Sequence, residues 1–131
     1  EQADRLVAEH LTDEDAFWTP WPLATLARSE PGYSSTPLEK DLGCNWRATV
    51  WAPTNYMAYH GLRRYGYTEL ATKLAARTAA LVQQAGNREW YDAESGAGCG
   101  LEPFWGWSLL AHFMPFEDAH GVNPNPKLEL D

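Results

Sequence analysis

The pair Gly66-Tyr67 constrains this chain more than any other feature. It separates two apolar-periodic segments, 54–65 and 68–85, by too little chain for anything but a reversal. In the second segment Leu70, Leu74, Leu81 and Val82 form one stripe, flanked by Ala71, Ala75 and Ala85. Glu69, Lys73, Arg77 and Gln84 lie away from it, which predicts an amphipathic helix with one wet face. Glu69 and Lys73 are a favourable i,i+4 pair, contributing only a few tenths of a kcal/mol. In the first segment Tyr56, Met57, Ala58, Tyr59 and Leu62 leave little polar face, which predicts a buried inner helix. Gly66 and Gly86 suit the left-handed stops of the two helices.

The flanking sequence extends this hairpin. Residues 2–11 read as a short helix with Leu6, Val7, His10 and Leu11 on one face. Phe17-Trp18-Thr19-Pro20-Trp21-Pro22 forbids a long helix, and residues 23–27 have room for one or two turns. Pro103 suits the first turn of a further helix through Trp105, Trp107, Leu109, Leu110 and Phe113, with Pro115 as its end. Residues 116–131, with Asn-Pro-Asn-Pro, read as an extended tail. No alternation is strong enough to predict a strand. Helices that alternate in sense then put both long loops, the one between the first helix and Thr54 and the one over residues 87–102, at one end of the molecule.

Those two loops carry the chemistry. Asn45-Trp46-Arg47-Ala48-Thr49-Val50-Trp51 brackets an arginine with indoles. Glu89-Trp90-Tyr91-Asp92 sets a carboxylate beside two aromatics, ahead of Gly96, Gly98 and Gly100. An indole face stacks on a pyranose C–H face, its N–H serves a hydroxyl, and a guanidinium fork binds hydroxyls or a carboxylate such as glycerate. Trp46, Arg47, Trp51, Trp90 and Tyr91 are therefore candidates for a sugar subsite, with Phe104, Trp107, Trp18 and Trp21 as further walls. The plain alternatives are indoles packed under loops and an Arg47 ion pair to a loop acid. Glu89 is the candidate catalytic carboxylate; the plain alternative is an exposed loop acid, and Glu94 and Glu102 are its rivals. Arg88 would favour the ionised form of Glu89 if it turned that way.

Other classes fall away. A net charge of -8 argues against nucleic acid and anionic membranes as partners. No apolar run approaches the ~20 residues that span a bilayer. His10, His60 and His112 have no partner at ligand spacing, and Cys44 and Cys99 fit no zinc pattern, so neither metal nor cofactor is expected. The cysteines read as two free thiols and do not decide the compartment. The glycine-rich loop lacks the Gly-Lys-Ser/Thr of a phosphate loop and reads as a backbone device. The chain starts at Glu1 with neither Met nor a signal-like segment, which decides nothing of the compartment; the expectation kept is a cytoplasmic setting.

Over residues 16–114 the chain resembles the inverting glycoside hydrolases built on an (α/α)6 barrel, in particular glycoside hydrolase family 63 and the mannosylglycerate and glucosylglycerate hydrolases, with trehalases more distant. The blocks that carry the resemblance are Trp46-Arg47-Ala48-Thr49-Val50-Trp51, Gly61-Leu62-Arg63-Arg64-Tyr65-Gly66, Glu89-Trp90-Tyr91-Asp92-Ala93-Glu94-Ser95-Gly96-Ala97-Gly98 and Trp105-Gly106-Trp107-Ser108. Asn45, Ala48-Thr49 and Ala93 depart from the family's aromatic, Gly-Pro and Pro. The resemblance implies an all-α fold of antiparallel hairpins, residues 1–115 forming the C-terminal part of the toroid. It implies hydrolysis of an α-glucoside or α-mannoside with inversion, Glu89 acting as general base. The family's acid, an aspartate, lies upstream of the matched region; Asp41 and Asp92 are the only nearby aspartates, and neither matches it. A non-catalytic carbohydrate-binding or interaction module, or an inactive fragment, is the alternative. Part of a toroid exposes apolar helix flanks, so self-association is expected as well.

Overall fold

The computed structural model describes residues 1–34 and 46–123. Helix α1 (Gln2–Leu6) runs into a π-helical turn (Val7–Leu11). The extended segment after it carries no helix at 23–27, where one or two turns were expected. Strand β1 (Thr49–Val50) leads into α2 (Ala52–Arg64), followed by α3 (Thr68–Ala85). Strands β2 (Trp90–Asp92) and β3 (Gly98–Cys99) come next, then a 3-10 turn (Trp107–Leu109) and α4 (Leu110–His120).

The α2–α3 hairpin forms as its sequence dictates. Pro53 sits in the first turn of α2, and Thr54 Oγ1 donates to Trp51 O at 2.7 Å, fixing the start. At the other end Gly66 adopts φ 86°, so the Tyr67 N–H folds back onto Leu62 O at 2.9 Å and α3 returns along α2. One core joins Trp18, Leu23, Tyr59, Leu62, Ala71, Leu74, Ala75 and Met114. A second joins Ala24, Val50, Leu81, Val82, Tyr91, Ala93 and Ala111, nearer the loop end.

Four expectations are corrected. The fold is not purely helical: β1, β2 and β3 form an antiparallel sheet in that order, each strand too short to show periodicity. Helix α2 is one-sided rather than buried all round, with Met57 66% exposed. Pro103 does not start a helix; helical structure begins at Trp107. Helix α4 continues through Pro115 to His120, so residues 116–120 are not an extended tail. Proline removes one backbone hydrogen bond, a cost of about 3 kcal/mol in a helix interior. Contacts on both sides of it offset that cost. Met114 is fully buried, and Glu117 meets Tyr56 of α2 at 3.1 Å and His60 at 3.4 Å. Asp118 accepts from Tyr59 at 2.6 Å.

Candidate active site

The sheet joins the two loops. Thr49 pairs with Asp92, Val50 with Tyr91, Trp90 with Cys99 and Tyr91 with Gly98. Side chains alternate across a strand, so Val50 and Tyr91 share the core face. Trp51, still extended at φ -122° and ψ 126°, and Trp90 then fall together on the opposite face.

On that face the indoles form a continuous stack. Trp46 lies on Trp51 with centroids 4.1 Å apart and planes 9° apart; Trp51 lies 6.4 Å from Trp90 at 20°. Trp107 tilts against Trp51 at 5.7 Å, and Phe104 backs Trp107 at 4.8 Å. Trp51 is fully buried and Trp90 nearly so, while Trp46 is 42% exposed and presents the open face of the stack. The Trp51 indole N–H donates to Thr49 Oγ1 at 2.9 Å. Arg47 is half-buried at the head of β1.

Glu89 closes the far end of this stack. Its side chain is half-buried, and Oε2 accepts the Leu101 N–H at 3.2 Å. A Cβ placed on Gly100 would lie 2.6 Å from Glu89 Oε2 and 2.9 Å from Trp90 Nε1, which makes the carboxylate and the Trp90 N–H close neighbours. Trp107 reaches Glu89 from the other side, donating its N–H to Glu89 O at 2.7 Å. The loop that carries these groups is tied at its base by the Phe104 N–H to Asn87 O, 2.8 Å.

The neighbouring acids are otherwise engaged. Asp92 Oδ1 accepts from Ser95 N at 2.6 Å, Ser95 Oγ at 2.7 Å and Glu94 N at 3.1 Å. Glu94 pairs with Arg28 at 2.7 Å and takes the Tyr33 hydroxyl at 2.6 Å; burial first, and that carboxylate second, push the Tyr33 phenol well up. Glu102 pairs with Arg88 at 2.6 Å, so Arg88 turns to Glu102 rather than to Glu89. Asp41, Cys44 and Asn45 lie outside the described residues.

Tyr91 stands apart from the indole stack. It is buried in the second core, and its hydroxyl donates to Gly86 O at 2.8 Å and accepts Arg88 N–H at 3.1 Å. Burial raises its phenol above the ordinary value. As the residue next to Trp90 in a strand, it points the other way. Trp18 is likewise core, and Trp21 covers Gly96. The residues the sequence undervalued are Thr49 and Trp107. Thr49 was detectable as the i-2 neighbour of Trp51 once that segment is read as extended. Trp107 meets Glu89 across a loop and leaves no local signal. Among the described residues, no group of three or more His, Cys, Asp or Glu is placed to hold a metal, and no helix is long and apolar enough to cross a membrane.

Residues 1–108 match the family described as mannosylglycerate hydrolase MGH1-like glycoside hydrolase domain. The chain belongs to this family. Mannosylglycerate hydrolase of Thermus thermophilus is 44% identical over 71 residues, 54% of this chain and 17% of that protein. Its counterpart from Rubrobacter radiotolerans is 38% identical over 66 residues, 50% of this chain and 15% of the relative. In solved structures, the family 63 mannosylglycerate hydrolase from a second strain of Thermus thermophilus, in complex with glucose, superposes with a TM-score of 0.69 at 30% identity, covering 88% of this chain and 27% of that one. The same enzyme with Tris and D-glycerate gives 0.65 at 32%, covering 85% and 25%. The chain thus spans about a sixth of these curated relatives and about a quarter of the solved chains. The helix-rich architecture is the one shared with these family 63 structures.

Proposed function

We propose that this chain is the base-bearing, C-terminal section of an (α/α)6 glycoside hydrolase that cleaves an α-mannoside or α-glucoside with inversion. The observation that carries the reading is the indole stack Trp46–Trp51–Trp90 ending at the Glu89 carboxylate. Inversion needs a carboxylate that takes a proton from water as the water attacks the anomeric carbon. A second carboxyl, ~6.5–9.5 Å away, protonates the leaving oxygen. In this reading Glu89 is the base, and Trp46 offers its open face to the sugar, with Trp51 and Trp90 supporting it. Arg47 binds hydroxyls or a glycerate carboxylate. The acid comes from outside the chain, which accords with a chain that spans a quarter of its structural relatives.

The test uses the complete polypeptide that carries this sequence. Given mannosylglycerate or glucosylglycerate, it should release the β-anomer first, followed by NMR. Glu89→Gln should lose turnover by roughly 10²–10⁴, the range for removal of a general base. Full turnover in Glu89→Gln, or the α-anomer first, overturns the assignment. The second reading, a sugar-binding or inactive section, rests on the engagement of Asp92, Glu94 and Glu102, which leaves Glu89 without an acid among them. Saturable quenching of indole fluorescence by sugar, with no turnover by the complete polypeptide, selects it.

A further inference from the structure

Gly100 occupies a position where any side chain would force Glu89 to shift. It follows Cys99, the cross-strand partner of Trp90, and so arrives beside Glu89 as β3 ends. A Cβ there would stand 2.6 Å from Glu89 Oε2, 2.7 Å from Glu89 Cβ and 2.9 Å from Trp90 Nε1. Real Cβ atoms essentially never approach heavy atoms so closely. The backbone is also left-handed, φ 71°, a conformation that glycine adopts without strain. That turn has a consequence for the acid: it aims the next amide, Leu101 N–H, at Glu89 Oε2, 3.2 Å away.

We infer that Gly100 is a positioning residue for Glu89, and that the Gly100-Leu101 turn is a clamp on its carboxylate. The inference rests on Glu89 being the base. The turn takes one oxygen, Oε2, so Oε1 is presented to the attacking water in a single orientation. The Trp107 N–H holds the other side of the same residue, at Glu89 O, and fixes the backbone the carboxylate hangs from. Carboxylate, turn and indole thus lock one another without help from the adjacent Arg88, which is committed to Glu102. A base held this way loses rate when its position shifts by about 1 Å, on the order of 10²-fold, with little change in the affinity for substrate.

The test is kinetic and uses the complete polypeptide. Gly100→Ala should lower kcat by about 10–100-fold with KM within about twofold, and it should add little to the loss already present in Glu89→Gln. Gly66→Ala is the control for backbone strain alone. It has φ 86° and open space around its Cβ, at the hairpin turn away from the sheet. It should lower the melting temperature while kcat stays at the wild-type value. Gly100→Ala with wild-type kcat, or a Gly100→Ala loss that multiplies in full with Glu89→Gln, overturns the clamp. The same holds if Gly66→Ala loses kcat as severely as Gly100→Ala. Full turnover in Glu89→Gln removes instead the base assignment beneath it, so the two failures are distinct.

Discussion

At Trp51 the indole is both stacked on Trp46 and hydrogen-bonded. Its N–H donates to Thr49 Oγ1, a contact shielded from water. A buried donor stripped of its acceptor costs about 1–3 kcal/mol. Thr49→Val keeps the shape and removes the acceptor, so it should destabilise the chain by about that amount in urea unfolding, with sugar affinity changing secondarily. Trp46→Ala should do the reverse. Trp46 is 42% exposed, so its removal forfeits about 0.5–1.5 kcal/mol of stacking yet takes away the open face, and sugar titrations followed by indole fluorescence should lose most of their amplitude. The indoles themselves were legible because two of them flank an arginine. The split between Trp90 and Tyr91 was not, because a strand of three residues is too short to announce its alternation.

The elements were legible in proportion to their length. Helix α3 falls where its stripe placed it, 68–85, whereas the sheet that joins the two loops emerged only in three dimensions. Two elements depend on polar contacts that no periodicity encodes. Asn55 of α2 accepts Leu23 N–H at 3.0 Å and donates to Pro22 O at 3.0 Å and Thr78 Oγ1 at 2.9 Å, all buried. Asn55→Ala should cost about 3 kcal/mol or more in denaturant unfolding, since partners on two elements lose their bonds together. Between α2 and α4, burial first and the Asp118 hydrogen bond second push the Tyr59 phenol up to about 12, while Arg63 pulls it down. The fold thus prefers the protonated phenol. Its contribution is whole below the ordinary value of 10 and is lost as the pH rises from 10 through 12. Alkaline unfolding should therefore centre in that window. Tyr59→Phe should remove the share of this pH dependence that Tyr59 carries, leaving that of the buried Tyr33 and Tyr91 phenols, and Asp118→Asn should shift the Tyr59 share to lower pH without abolishing it, because burial is the larger cause. Helix α4 persists through Pro115 for the same reason that these contacts matter: its far half is held by side chains of α2 rather than by propensity.

Among the described residues of the whole molecule, an apolar flank stays open. Between α1 and α2 lies a hollow of about 480 Å³ lined by Leu6, Val7, Leu11, Ala58, Leu62 and Tyr65, among others. Leu6 is 59% exposed and Tyr65 68%, and Met57 stands out from the same helix at 66%. The alternation of helix sense across a short turn anticipated where the long loops meet. Exposed apolar area of this kind drives association in water. The net charge of -8 opposes it through repulsion between copies, and salt screens that repulsion over about 8–10 Å at 0.1–0.15 M. The isolated chain should therefore self-associate more strongly as salt rises, the opposite of an interface held by ion pairs. Sedimentation velocity across a salt series from about 20 to about 500 mM NaCl, a span over which the screening length shrinks several-fold, would read this as an increasing weight-average s value. Leu6→Lys combined with Met57→Lys should return the chain to monomer at every salt concentration while helical content is unchanged by circular dichroism. A monomer throughout in the unmodified chain, or association that weakens with salt, would mean that these side chains do not join copies and that charge governs the contacts between them.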